Sequence, residues 1–216
     1  YRGYAAQDLC ANCKFEEVAY LILNGELPTK KQLKDFEKKE KKERKLSKTL
    51  LQDIKNFPKK AHPMDVARTA VSIMGLEDKE TKDNSAKANM RKIMRIFAKT
   101  PVALAAFYRS RKGKKIISPK NNLSFSENFF YMCFGKVPNE DIVKAFDVSL
   151  ILYAEHSFNV STFTARTITS SLSDIHGAIT GAIASLKGPL HGGANEEVMH
   201  MMNKIKKPEN ALKWIN

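Results

Sequence analysis

Long apolar runs are missing from this 216-residue chain: no window approaches the roughly 18 uninterrupted apolar residues of a membrane-spanning helix. A membrane span is therefore excluded. No signal peptide is expected from these residues, and there is no initiator methionine. The chain opens on Tyr1-Arg2-Gly3-Tyr4 as though in mid-element and stops at Ile215-Asn216 just after a charged turn, so both ends read as cut. Cysteine is scarce and odd in number. Cys10, Cys13 and Cys133 cannot build a disulfide framework, which points to a reducing, cytoplasmic setting. Alternating apolar and polar runs, low-complexity linkers and internal repeats are also absent, so neither a sheet nor a repeat array is expected.

Acidic residues are the minority, and the net charge is +14. Much of the excess lies between Lys30 and Lys60, where lysines alternate with Asp35, Glu37, Glu40 and Glu43. That spacing describes a solvated helix laced with i,i+4 ion pairs. Aromatic residues are not interleaved as a base-stacking surface needs, so nucleic acid is not expected as a partner. A basic field would still help gather a small polyanionic substrate.

What is present is a helix pattern almost throughout, with 43% hydrophobic residues to build a core. Tyr1–Tyr4 reads as a short extended start. Phe15–Leu23 is helical, closed by Asn24-Gly25 and Pro28. Thr29 to Gln32 and Ser124 to Glu127 have capping-box spacing. His62 reads as an N-cap before Pro63, and Gly75 as the C-cap of that helix. A long pattern from Asn84 to Gly113 should be kinked or split at Pro101. Helices from Asn139 to Ala154, Ser161 to Leu172 and Asp174 to Leu186 complete an all-α chain with short connections.

The richest stretch for chemistry runs Gly188-Pro189-Leu190-His191-Gly192-Gly193-Ala194-Asn195-Glu196. His191 lies between a helix stop and a helix start, with little bulk after it, so a ligand could approach the main chain closely. The N-terminus of the following helix would disfavour the imidazolium and keep a neutral ring able to donate to a developing oxyanion. His156, in Glu155-His156-Ser157-Phe158-Asn159-Val160-Ser161, also sits where one helix ends and another begins, suited to holding a carboxylate. His176 and His200 read as structural. Cys10-Ala11-Asn12-Cys13 is a lone pair of cysteines without further ligands, so no metal site is expected. Gly188–Gly193 lacks the Lys-Ser/Thr ending of a phosphate loop. Gly177 and Gly181 give one helix a small-residue face for close packing.

The stretch from Leu150 to Arg166, joined to the His191 motif, resembles the citrate synthase family. Tyr1-Arg2-Gly3-Tyr4, Phe15–Tyr20, Leu27-Pro28-Thr29 and His62-Pro63-Met64-Asp65-Val66 resemble its earlier landmarks in order, and the wording is closest to the short form that includes 2-methylcitrate synthases. The resemblance implies an all-α large helical domain over residues 1–190, then the catalytic-histidine turn and first helix of a smaller domain over 191–216. It implies an acyltransferase that condenses acetyl-CoA or propionyl-CoA with oxaloacetate, with no cofactor beyond the coenzyme A thioester substrate. His191 matches the catalytic histidine on the thioester oxygen. His156 matches the oxaloacetate-binding histidine, with Asn159 in or near the same shell, and Ser161 matches the serine that orients the catalytic ring. A homodimer is implied as well, with the Gly177–Gly181 face as a candidate interface.

The family's second catalytic histidine, its aspartate base and its carboxylate-binding arginines are not found after His191, so the segment by itself is expected not to condense. Two other classes stay open at this point: a non-catalytic relative that keeps the fold and the dimer, and a basic nucleic-acid-binding module.

Overall fold

The computed structural model describes residues 1–156 and 158–215, which form twelve α-helices and one short 3-10 turn, with no strand among them. In order these are α1 (Ala6–Asn12), α2 (Phe15–Asn24), α3 (Lys30–Glu43), α4 (Lys48–Asn56), α5 (Pro63–Glu77) and α6 (Ala86–Arg111). Then come α7 (Phe125–Phe134), α8 (Glu140–Tyr153), α9 (Val160–Ser170), α10 (Ile175–Leu186), α11 (Gly193–Ile205), the 3-10 turn Pro208–Asn210 and α12 (Ala211–Ile215).

Local chemistry sets most of these boundaries. The Thr29 hydroxyl accepts the Gln32 N–H at 3.3 Å, while Gln32 Oε1 accepts the Thr29 N–H at 2.8 Å. Ser124 and Glu127 make the same reciprocal pair, and Asn139 and Asp174 cap α8 and α10. Each cap satisfies a helix N–H that has no partner within the helix. Gly25 and Gly135 close α2 and α7 in the left-handed region, at φ 96° and 84°.

Three elements differ from the sequence reading. Tyr1–Tyr4 is a turn, closed by Tyr4 N–H on Tyr1 O at 3.0 Å, and not an extended start. α5 runs through Gly75 to Glu77, because the glycine serves a helix crossing: a Cβ there would lie 2.8 Å from His176 Cβ on α10. α6 is not split at Pro101. Its flanking turns are buried by Ile96, Ala98, Val102 and Ala103, and that packing keeps the helix in one piece.

α6 is the shared spine of two apolar clusters. Its C-terminal half packs Val102, Ala106 and Phe107 with Leu50 and Ile54 of α4, Val66 and Met74 of α5, and Met132 of α7. Its N-terminal half sets Met94 and Phe97 beside Leu9, Val18, Leu21, Phe36 and Ile151. Phe97 stacks on Phe125 at 4.8 Å between ring centroids. Burying each such side chain contributes about 1.5–3 kcal/mol, which makes these clusters the anchor for the rest. α10 lies between α5 and α9, whereas α9 and α11 contain no fully buried residue. The elements that carry the candidate site therefore rest on the edge of the core.

Candidate active site

The α8–α9 corner is organised by Asn159. Its Oδ1 caps α9 by accepting the Thr162 N–H at 2.7 Å and faces the Ser161 hydroxyl at 2.8 Å. Its Nδ2 donates back to the His156 carbonyl at 2.5 Å. Both ends of the amide are thus engaged in holding His156 and Ser161 in register. Phe158 adopts a left-handed φ of 64° with its ring exposed, a strained turn for a side chain of that size. The His156 ring lies exposed at this corner, edge-on to Tyr153 at 6.1 Å. Ser157, within the same motif, lies outside the described residues.

His191 reaches this corner from a tight turn. The carbonyl of Gly188 accepts two N–H groups, from His191 at 3.0 Å and Gly193 at 3.1 Å. A Cβ on Gly192 would lie 2.6 Å from Leu186 O, and one on Gly193 would lie 2.7 Å from Lys187 O. These glycines make room for the chain's own carbonyls at the end of α10. The imidazole Nε2 lies 2.9 Å from Ser161 Oγ, and it accepts the Ser161 backbone N–H at 3.3 Å. A backbone amide can only donate, so Nε2 carries a lone pair here and Nδ1 carries the proton. The amide that sets this neutral tautomer belongs to the first turn of α9, thirty residues earlier.

The four residues singled out in the sequence lie together: the Asn159 amide meets the His156 carbonyl and the Ser161 hydroxyl, and the His191 ring takes the Ser161 backbone N–H, because the single hydroxyl proton cannot serve both Asn159 Oδ1 and Nε2. Three further contacts went unforeseen. Tyr153 OH donates to Asn195 Oδ1 at 3.0 Å, Lys187 Nζ meets Asp65 Oδ2 at 2.7 Å, and His62 Nε2 meets Glu196 Oε2 at 2.9 Å. The His62 hydrogen bond holds the Glu196 carboxyl below the usual carboxylate range. Only the position of His62 before Pro63 hinted at a role, and it does cap α5, accepting the Met64 N–H on Nδ1 at 3.1 Å.

The remaining candidates lie apart. His176 is buried against Gly75, with its Nδ1 unbonded among the described residues, and burial pushes its pKa down. His200 sits on α11, 3.8 Å from Glu196. Gly181 is covered by the Ile168 side chain of α9, so this part of the small-residue face packs within the chain and is not open as an interface.

The family model described as citrate synthase, C-terminal domain, matches residues 1–216. The chain is 50% identical over 215 residues to a 2-methylcitrate synthase of Mycobacterium tuberculosis, covering 100% of this chain and 54% of that protein. It is 49% identical over 216 residues to a citrate synthase of Mycolicibacterium smegmatis, covering 100% and 57%. Among solved structures, it is similar to the citrate synthase of Thermoplasma acidophilum in ternary complex with carboxymethyl coenzyme A and oxaloacetate. There the TM-score is 0.90 at 31% identity, over 100% of this chain and 57% of that one. The chain spans about half the length of the relatives it matches.

Proposed function

The chain belongs to the citrate synthase family, and from that premise we propose that it carries the thioester-activating part of an acyltransferase site for acyl-CoA and oxaloacetate. The observation that carries this reading is the His191 ring held by its Nε2 on the Ser161 N–H in the first turn of α9. With Nε2 occupied, the ring's proton sits on Nδ1 and can be donated to a thioester carbonyl. A carboxylate base supplied by the rest of the enzyme takes the proton from the adjacent carbon, charge builds on the thioester oxygen, and a positioned donor stabilises it. The enolate then attacks the oxaloacetate carbonyl, and hydrolysis of the thioester releases the product and CoA. His191 is the donor and not the base, because its protonated nitrogen cannot accept the carbon's proton. His156, exposed one turn before α9, binds oxaloacetate, and Asn159 and Ser161 set the two histidines relative to each other. No metal or redox cofactor is part of this reading.

Acetyl-CoA and propionyl-CoA both remain as acyl donors, since relatives named for citrate and for 2-methylcitrate stand at 49% and 50% identity. One methylene is discriminated by about 1–3 kcal/mol, so kcat/KM for the two thioesters decides the matter. We also propose a homodimer, a reading supported by the exposed Phe163 in the first turn of α9 and Leu172 in the turn that follows it. Sedimentation at the monomer mass would reject it. The three free cysteines support a cytoplasmic setting.

The test uses an enzyme carrying this chain, assayed for CoA release with both thioesters. His191→Ala should lower the rate by about 10²–10³-fold while oxaloacetate affinity stays within about twofold. His156→Ala should chiefly weaken oxaloacetate binding. A His191→Ala enzyme that condenses at the parent rate removes the proposal.

A further inference from the structure

The turn that presents His191 is tied at both ends to a single turn of α5. Lys187, four residues before His191, pairs with Asp65 at 2.7 Å, and Asp65 also holds Arg68 at 2.9 Å. Glu196, five residues after His191, pairs with His62 at 2.9 Å. The His62 ring is not free to choose its orientation. Its Nδ1 is engaged as the cap of α5, accepting the Met64 N–H, so Nε2 bears the proton and faces Glu196.

We propose that His62 and Glu196 are positioning residues for His191: their hydrogen bond holds the Gly188–Glu196 turn closed, so that the His191 ring meets Ser161. The inference rests on the role proposed for His191 and extends it to two side chains that do not touch that ring.

The physical need for such a tie is visible in the packing. α11 buries no residue, so apolar burial does not fix the far side of the turn. Gly192 and Gly193 leave the turn backbone with more conformational freedom than any other residue pair would. The near side is anchored by α10, which packs on α5 and α9. Besides the backbone bond from Gly193 to Gly188, the far side is held among the described residues by side-chain contacts from the first turn of α11, Glu196 to His62 and Asn195 to Tyr153. An exposed pair is ordinarily weak because ordering two mobile side chains offsets the attraction. Here the capping bond has already ordered one partner.

Three variants of this chain separate positioning from simple loss of structure. Glu196→Ala deletes the acceptor, and Glu196→Gln keeps an oxygen for the same N–H. His62→Asn keeps a good α5 cap but is too short to reach Glu196. Two signals are read by NMR: amide exchange at His191, Gly193 and Ala194, and the ring nitrogen shifts of His191. Glu196→Ala and His62→Asn should each speed exchange at those amides about threefold and move Nε2 of His191 towards an unbonded value. Met64 should keep its protection in His62→Asn, and Glu196→Gln should match the parent. The double variant should be no worse than either single one, since both remove the same bond. In an enzyme carrying the chain, Glu196→Ala should lower kcat and leave KM for oxaloacetate unchanged. Parent-like exchange and ring shifts in Glu196→Ala, equal damage from Glu196→Gln, or additive effects of the two single variants would each overturn the inference. The assignment of His191 fails separately, by unimpaired condensation in His191→Ala.

Discussion

Ser161 directs its backbone N–H into Nε2 of His191 at 3.3 Å, with its hydroxyl 2.9 Å from the same nitrogen. The ring is thereby held as the Nδ1–H tautomer. Long-range ¹H–¹⁵N spectra should show His191 in that single form. Ser161→Ala keeps the amide and should preserve the tautomer, with a loss of about fivefold in condensation for the missing hydroxyl. Ser161→Pro removes the amide hydrogen within a helix's first turn, where proline is tolerated, and should release a mixture of tautomers. A protonated Nε2 in the parent chain would contradict the assignment.

Gly193→Ala should be costly where Gly181→Ala is not. An added Cβ at Gly193 meets the carbonyl oxygens of Lys187 and Gly188, at 2.7 and 2.8 Å, and neither can step aside. About 1–3 kcal/mol of local stability should be lost, read from amide exchange across residues 191–195, and the His191 ring signal should move. At Gly181 the obstruction is the Ile168 Cδ1 methyl, which can rotate away. Alanine's helix propensity then offsets the crowding, to within about 1 kcal/mol. Equal costs at the two positions would show that the turn is looser than described.

Arg44→Ala should be among the most damaging changes in the core. Arg44 and Glu40 are both about 2% exposed and share three hydrogen bonds, while Arg44 also reaches the carbonyls of Lys120 and Leu123. Removing one partner strands a buried carboxylate, at a cost of about 3–5 kcal/mol in urea unfolding. Glu40→Leu combined with Arg44→Met should cost less than Arg44→Ala alone. Burial already pushes the Glu40 carboxyl up. A raised carboxyl opposes folding as pH rises above its unfolded value, so the Arg44→Ala deficit should shrink from pH 8 to pH 5.

The acid limb of stability should run through Glu80. Hydrogen bonds from Arg91, then Arg95, hold its carboxyl down at about 2, against a free value of 4.5. A depressed folded pKa contributes stability above 4.5 that is lost as pH falls towards 2. Urea midpoints should therefore decline across that window, and the Glu80→Gln curve should be flatter there. Parallel curves for the two proteins would remove Glu80 from the acid response.

Much of the molecule was legible because its signals are short in range. Thr29, Ser124 and His62 each cap a helix through an atom two or three residues away, so spacing alone reveals them. The roles expected of His156 and His191 came instead from the resemblance of their motifs to the citrate synthase family. Where the sequence misled, a distant neighbour had intervened. Gly75 looked like a helix end but accommodates His176, about a hundred residues later, and α6 continues past Pro101 because the core grips both flanking turns. Lys92 shows no periodic mark of burial, yet it is fully enclosed and donates to the Asp83 carbonyl at 2.6 Å.

By itself, the sequence determined the all-α class, most of the helices, several of their caps and two histidines placed at helix junctions, since hydrogen bonds within a few residues decide these. Only the tertiary structure decided which amide sets the His191 tautomer, which carbonyls the turn's glycines admit, and that His62 meets Glu196 across 134 residues. Those pairings depend on how the two clusters on α6 hold α5 and α8, and on how α10 packs between α5 and α9. Burial of apolar surface fixes that arrangement without regard to which polar groups it brings together.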